Sequence, residues 1–183
     1  MFHWGLIPAW SESAEKQYKM INARAETVRE KRAYSGLLAE HRCLIPADGF
    51  YEWQPQPEGP KQPWWFHLPS SEPFAFAGLW TSWQPEPDVE PVGSCTILTS
   101  SANEIVAPVH SRMPLILNAA DERAWLDADV SADDAIARLD DCANRELIAH
   151  PVSRAVNNTR NIGAELIEPI EQGGSDPSAG ALF

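Results

Sequence analysis

Prolines divide the middle of this chain into short apolar pieces. Residues 54–63, Gln-Pro-Gln-Pro-Glu-Gly-Pro-Lys-Gln-Pro, read as a loop, and 84–91 form a second loop rich in proline and acid. Pro69 to Pro73 mark a turn. Between these breaks lie four strand-length runs at 41–45, 64–68, 74–80 and 95–99, and the second and third look like a hairpin. Residues 105–109 are a short apolar segment, and Leu115-Ile116-Leu117 is strand-like. Asn118 and Ser131 then stand as N-caps for helices at 119–127 and about 132–142, with Asp121 and Glu122 at the positive end of the first. Residues 28–40 carry Val28, Ala33, Leu37 and Leu38 among charges and suggest a further helix. The expected class is α+β, with short antiparallel strands over 40–117 and helices after them.

The stretch Arg42-Cys43-Leu44-Ile45-Pro46-Ala47-Asp48-Gly49-Phe50-Tyr51-Glu52-Trp53 is the most informative. It reads as a strand, a turn from Pro46 to Gly49, and a carboxylate set among aromatic residues. Such a carboxylate either faces solvent from a strand or works in a cleft. Asn22 could cap backbone or position a substrate. His110 sits at a junction between apolar segments, beside Arg112. Glu52 with His110 would form a proton-transfer pair if the two converge. Arg24 and Arg112 suit phosphate or carboxylate, and Arg112 equally suits a salt bridge.

Charge limits the partners. The chain carries a net charge of −12, which argues against a broad nucleic-acid footprint. Residues 1–61 hold eight Lys/Arg and eight Asp/Glu, while 62–183 hold six and eighteen, so the acidic excess lies entirely in the later part. Arg24, Arg29, Lys31, Arg32 and Arg42 form a local basic group, which fits a solvated face or a phosphate-binding groove. Cys43, Cys95 and Cys142 have no metal-ligand spacing. Cys43 and Cys95 read as small core residues, and Cys142 falls on a peripheral helix next to Asp141. No metal or cofactor is expected. No run has the length of a transmembrane helix, and the N-terminus is not a secretory signal, so a cytoplasmic protein without a membrane partner is expected.

The ordered segments Trp4-Gly5-Leu6-Ile7-Pro8-Ala9-Trp10, Ile21-Asn22-Ala23-Arg24-Ala25-Glu26-Thr27, the 42–53 stretch and Lys61-Gln62-Pro63 resemble the SOS response-associated peptidase family. Phe76-Ala77-Gly78-Leu79-Trp80, His110-Ser111-Arg112-Met113-Pro114 and Pro151-Val152-Ser153-Arg154-Ala155-Val156-Asn157 extend the resemblance over roughly residues 3–170. It implies a single domain over 1–170, built on a mixed, largely antiparallel curved sheet with peripheral helices, followed by a flexible Gly/Ser/Pro tail at 171–183.

The function implied is that of a sensor of abasic sites in single-stranded DNA, nucleoid-associated when bound, with no obligatory protein partner. In the family, a cysteine at the mature N-terminus closes a thiazolidine with the ring-opened sugar, and in some members it is thought to remove its own leader. By the same resemblance, Asn22 orients the amine and sugar, Glu52 shuttles the proton, and His110 acts on the sugar hydroxyl. Arg24 and Arg112 hold backbone phosphate, and Trp10 offers a stacking surface. The family begins Met-Cys-Gly-Arg, with a substantial segment before its Trp-Gly motif, whereas this chain has Phe2 and reaches Trp4 at once. The expectation is therefore a chain shortened relative to the family by a misassigned start, fragmentation or paralogous loss, and inactive alone in cross-linking. Competing readings are a non-catalytic single-stranded-DNA-binding or structural relic, weak β-elimination supported by Glu52, and a thiol peptidase using Cys43 or Cys142.

Overall fold

The computed structural model describes residues 2–14, 19–139, 142 and 145–170, so the tail expected at 171–183 lies outside the described residues. The chain packs as two compact units. The larger takes Met1–Ala47, Phe74–Ser101 and Arg112–Arg145; the smaller takes Asp48–Pro73, Ala102–Ser111 and Glu146–Phe183. Each has its own sheet, mostly antiparallel, and helices are few, which is the α+β class expected.

In the larger unit the path β1 (His3–Trp4), β7 (Val92–Ser101), β6 (Phe74–Trp83), β3 (Arg42–Ala47) forms the sheet. Strands β2 (Asn22–Arg24) and β8 (Arg112–Pro114) also pair with β7, and β9 (Ile116–Leu117) pairs with β6. Among the described strands of this sheet, only β1 and β2 run parallel to their neighbour. Strand alternation sorts the side chains: Ala77, Leu79 and Leu98 enter one core with Leu6, Ala23, Leu115, Leu117 and Trp125. At the start of the chain β1 lies in the sheet with Trp4 exposed, and Leu6 and Ile7 are buried.

Helix α1 (Ala119–Leu126) begins as expected, Asn118 Oδ1 accepting from the backbone N–H groups of Ala120 and Asp121 at 2.8 and 2.9 Å. Helix α2 (Ala132–Ala137) is shorter than expected, and Ser131 Oγ accepts from the Asp134 N–H. Residues 28–40 form turns and a 3-10 helix at Ser35–Leu37 instead of an α-helix. Val28, Ala33, Leu37 and Leu38 make no continuous helical stripe, and Gly36 disfavours one.

Arg42 ties these parts together. Its guanidinium donates to the carbonyls of Trp125, Leu38, Asp127 and Val130. It is buried, so it belongs neither to a solvated basic face nor to a phosphate groove. Arg29 is paired with Asp133, and Arg32 lies over Trp10.

The smaller unit has a three-stranded antiparallel sheet, β10 (Ile148–Pro151), β5 (Gln62–His67), β4 (Phe50–Gln54). The expected hairpin between 64–68 and 74–80 does not form, because β5 pairs with β4 and β10 while β6 pairs with β3, β7 and β9. The true hairpin is β4–β5, closed by the proline-rich loop, with Gly59 at φ 80°. That loop is shorter than expected at both ends, since Gln54 completes β4 and β5 opens with Gln62 and Pro63, a position where proline is tolerated. Pro46 likewise lies within β3, a strand at the end of its sheet path. Gly49 is required by a close approach: a Cβ there would stand 2.2 Å from a ring carbon of Trp65 and 2.6 Å from the Phe66 carbonyl. No helix among the described residues is long and apolar enough to cross a membrane.

Two stability predictions follow from these contacts. Arg42→Ala strands four carbonyls and is expected to cost about 3 kcal/mol in denaturant unfolding. Asn118→Ala removes only a cap and is expected to cost about 1 kcal/mol.

Candidate functional site

Glu52 lies at the centre of β4, opposite Trp64 on β5. Tyr51 and Trp53, its neighbours in sequence, alternate to the other face of the strand, where Tyr51 meets Trp65 at 4.7 Å and Trp53 Nε1 donates to Asn157 Oδ1 at 2.8 Å. The aromatic residue on the face of Glu52 is thus its cross-strand partner Trp64, not its neighbours in sequence.

His110 approaches from the segment 102–111 of the same unit. Asn103 starts a turn there, its Oδ1 accepting from the N–H groups of Ile105 and Val106. Buried Val106 and Val109 anchor the turn, and His110 N–H donates to the Val106 carbonyl at 2.9 Å. This places His110 Nδ1 3.5 Å from Glu52 Oε1, with side-chain exposures of 41% and 24%. Burial raises the Glu52 pKa above its ordinary value; His110, the Trp53 backbone N–H and Lys61 act in the opposite direction. The result is a carboxyl that keeps its proton to higher pH than usual, beside an imidazole, in a setting suited to proton transfer.

The other candidates lie in the larger unit. Asn22 and Arg24 are exposed on β2, while Ala23 between them is buried, and their partners on β7 are Ile97 and Thr99. Asn22 therefore stands within a strand and caps no helix; the 3-10 helix at Ala25–Thr27 begins at Arg24 without a side-chain cap. Arg112 forms a two-pronged ion pair with Glu26 at 2.6 and 2.9 Å and donates to the Thr99 carbonyl at 2.7 Å. Its guanidinium holds the Glu26 carboxyl below the usual range. Trp10 is 54% exposed, with the Arg32 guanidinium 4.4 Å above its ring.

The thiols do not present an activated nucleophile. Burial, reinforced by Cys95, pushes the Cys43 thiol up to about 12, and burial also raises Cys95. Cys142 is buried in the main core cluster. Among the described residues no group of three His, Cys, Asp or Glu side chains could hold a metal ion.

Sequence reasoning passed over Gln54, Glu26 and Asn157. Each acts through a partner distant in the chain, at Pro108, Arg112 and Trp53 respectively. Only the motif positions of Glu26 and Asn157 offered a signal.

The buried carboxyl yields a pH prediction. Because its folded-state pKa is raised, the folded state retains the proton longer than the unfolded chain, and the stability that this contributes is lost as pH rises through the folded-state value. Glu52→Gln is therefore expected to melt above the wild type at about pH 8 and close to it at about pH 4, where both forms are neutral. Thermal unfolding at the two pH values checks this.

A family model described as SOS response associated peptidase (SRAP) matches residues 1–159. The abasic site processing protein YoqW of Bacillus subtilis (strain 168) is 42% identical over 166 residues, covering 90% of this chain and 74% of that protein. The abasic site processing protein HMCES of Gallus gallus is 36% identical over 194 residues, covering 93% of this chain and 57% of that protein. A crystal structure of a Bacteroides thetaiotaomicron protein shares the fold, with TM-score 0.83 at 24% identity over 93% of this chain and 76% of its own. A match over most of its length, with relatives at this level of identity, places the chain in the SOS response associated peptidase (SRAP) family.

Proposed function

We propose that this protein acts on abasic sites in single-stranded DNA, and that its described residues contribute the acid–base and binding part of the reaction. The observation that carries the reading is the approach of His110 Nδ1 to Glu52 Oε1 at 3.5 Å. An abasic sugar must open to its aldehyde before any amine or thiol can add, and imine formation then needs an acid to expel water. Glu52, whose burial raises its pKa, delivers and recovers that proton, while His110 acts on the sugar hydroxyl. Asn22 orients the sugar and the attacking amine. Arg24 holds a backbone phosphate, with Arg112 as a second contact, and Trp10 stacks on an unpaired base. The net charge of −12 favours a small local contact with a lesion over broad affinity for DNA. A cytoplasmic site of action on nucleoid DNA goes with this reading.

The covalent step draws on a nucleophile other than Cys43, Cys95 and Cys142, whose thiols are buried or raised in pKa. Two names in the comparisons support the target, since both YoqW and HMCES are called abasic site processing proteins.

The test has two arms. In competition binding, a single-stranded oligonucleotide with one abasic site is expected to outcompete the same intact strand; equal competition overturns the reading. On a denaturing gel, a chain extended upstream by a segment beginning Met-Cys-Gly-Arg is expected to give a heat-stable shifted species. Glu52→Gln is expected to slow its formation by about 100-fold or more. The same species formed by these 183 residues alone would place the nucleophile within them and overturn the division of labour.

A further inference from the structure

Gln54 was expected to lie in the proline-rich loop, but it is the last residue of β4 and lies two positions beyond Glu52, on the same face. Its side chain is engaged at both ends. Oε1 accepts from the indole Nε1 of Trp64 at 3.1 Å and from Gln56 Nε2 at 3.3 Å, and Nε2 donates to the Pro108 carbonyl at 3.0 Å. The orientation of the amide follows from its partners, because an indole N–H can only donate and a carbonyl can only accept. Pro108 is two residues before His110, on the turn anchored by Val106 and Val109. A direct polar link therefore runs from the strand that carries the carboxylate to the segment that carries the imidazole.

We infer that Gln54 is a positioning residue for the Glu52–His110 pair: its amide, itself oriented by Trp64, holds the Pro108 carbonyl and so sets the approach of the imidazole to the carboxylate. The inference deepens the acid–base reading of that pair, and rests on it for functional meaning. Its geometry can be tested without DNA. Lys61 is the other charged group acting on Glu52, and it lies on the proline-rich loop between the same two strands.

The experiment follows the Glu52 side-chain carboxyl by carbon NMR across pH in the whole chain, with Glu52→Gln identifying its resonance. His110→Ala sets the scale, since removal of the imidazole is expected to move the Glu52 midpoint upward. Gln54→Met keeps the length and loses these hydrogen bonds; it is expected to move the midpoint in the same direction by a large part of that shift. In a His110→Ala background, Gln54→Met is expected to add nothing, whereas Lys61→Met adds its own upward shift in either background. Trp64→Phe leaves Gln54 in place but removes the indole donor, the shorter of the two hydrogen bonds to its Oε1. It is expected to act in the same direction and carries the test if Gln54→Met fails to fold. A midpoint unchanged from wild type in Trp64→Phe and in folded Gln54→Met overturns the inference, whatever happens to the melting temperature. Absence of abasic-strand preference in the wild type, with this coupling intact, would instead retire the functional reading and leave the positioning role standing.

Discussion

The larger unit depends on one buried cation. Arg42 opens β3 opposite Leu79, yet its guanidinium ends on carbonyls from Leu38, Trp125, Asp127 and Val130. Three of these belong to the end of α1 and the segment after it, where helix carbonyls lack intrahelical partners. A buried charge is costly unless its donors are satisfied, and here the unsatisfied carbonyls of a helix end satisfy them. Trp125 adds its own link, its indole N–H shared between the carbonyls of Cys43 and Gly78. The core under the sheet, the helix over it and the turns after Val28 are thereby held to the sheet whose β2 displays Asn22 and Arg24.

The smaller unit meets the opposite problem, a half-buried carboxyl. Glu52 is stabilised incompletely: His110, Lys61 and the Trp53 N–H favour its charge, but desolvation exceeds them and the pKa rises. A fully satisfied carboxylate would give up its proton at lower pH. This residual imbalance is what distinguishes Glu52 from Glu26, whose carboxyl is locked by Arg112 and held low. The two glutamates share a residue type and both stand in ordered motifs, but their surroundings raise the pKa of one and lock the other in an ion pair.

Much of the fold was legible wherever local chemistry decides structure. The cap at Asn118, the strand-length runs, the proline-rich loops and the α+β class all follow from backbone preferences that act within a few residues. Pairing was less legible. The run at 64–68 could close a hairpin with either neighbour, and turn signals at Pro69 to Pro73 suggested the wrong one, because the choice between β4 and β6 is set by which sheet can bury each strand. Residues 28–40 misled in the same way, since their apolar side chains are anchored one by one in a core built from distant segments.

By itself, the sequence determined the element types, the family motifs and the identity of Glu52 and His110 as candidates, because these depend on residue chemistry and order. Only the tertiary structure decided what those residues are. Burial raised the pKa of the Glu52 carboxyl, the turn at Asn103 brought His110 to 3.5 Å from it, and Gln54 joined the two segments. Arg42 left the expected basic group for the core, and Arg112 gained Glu26. The physical reason is common to all of these: desolvation and hydrogen-bond partners separated by tens of residues set a side chain's charge and aim, and neither is visible in the residue itself.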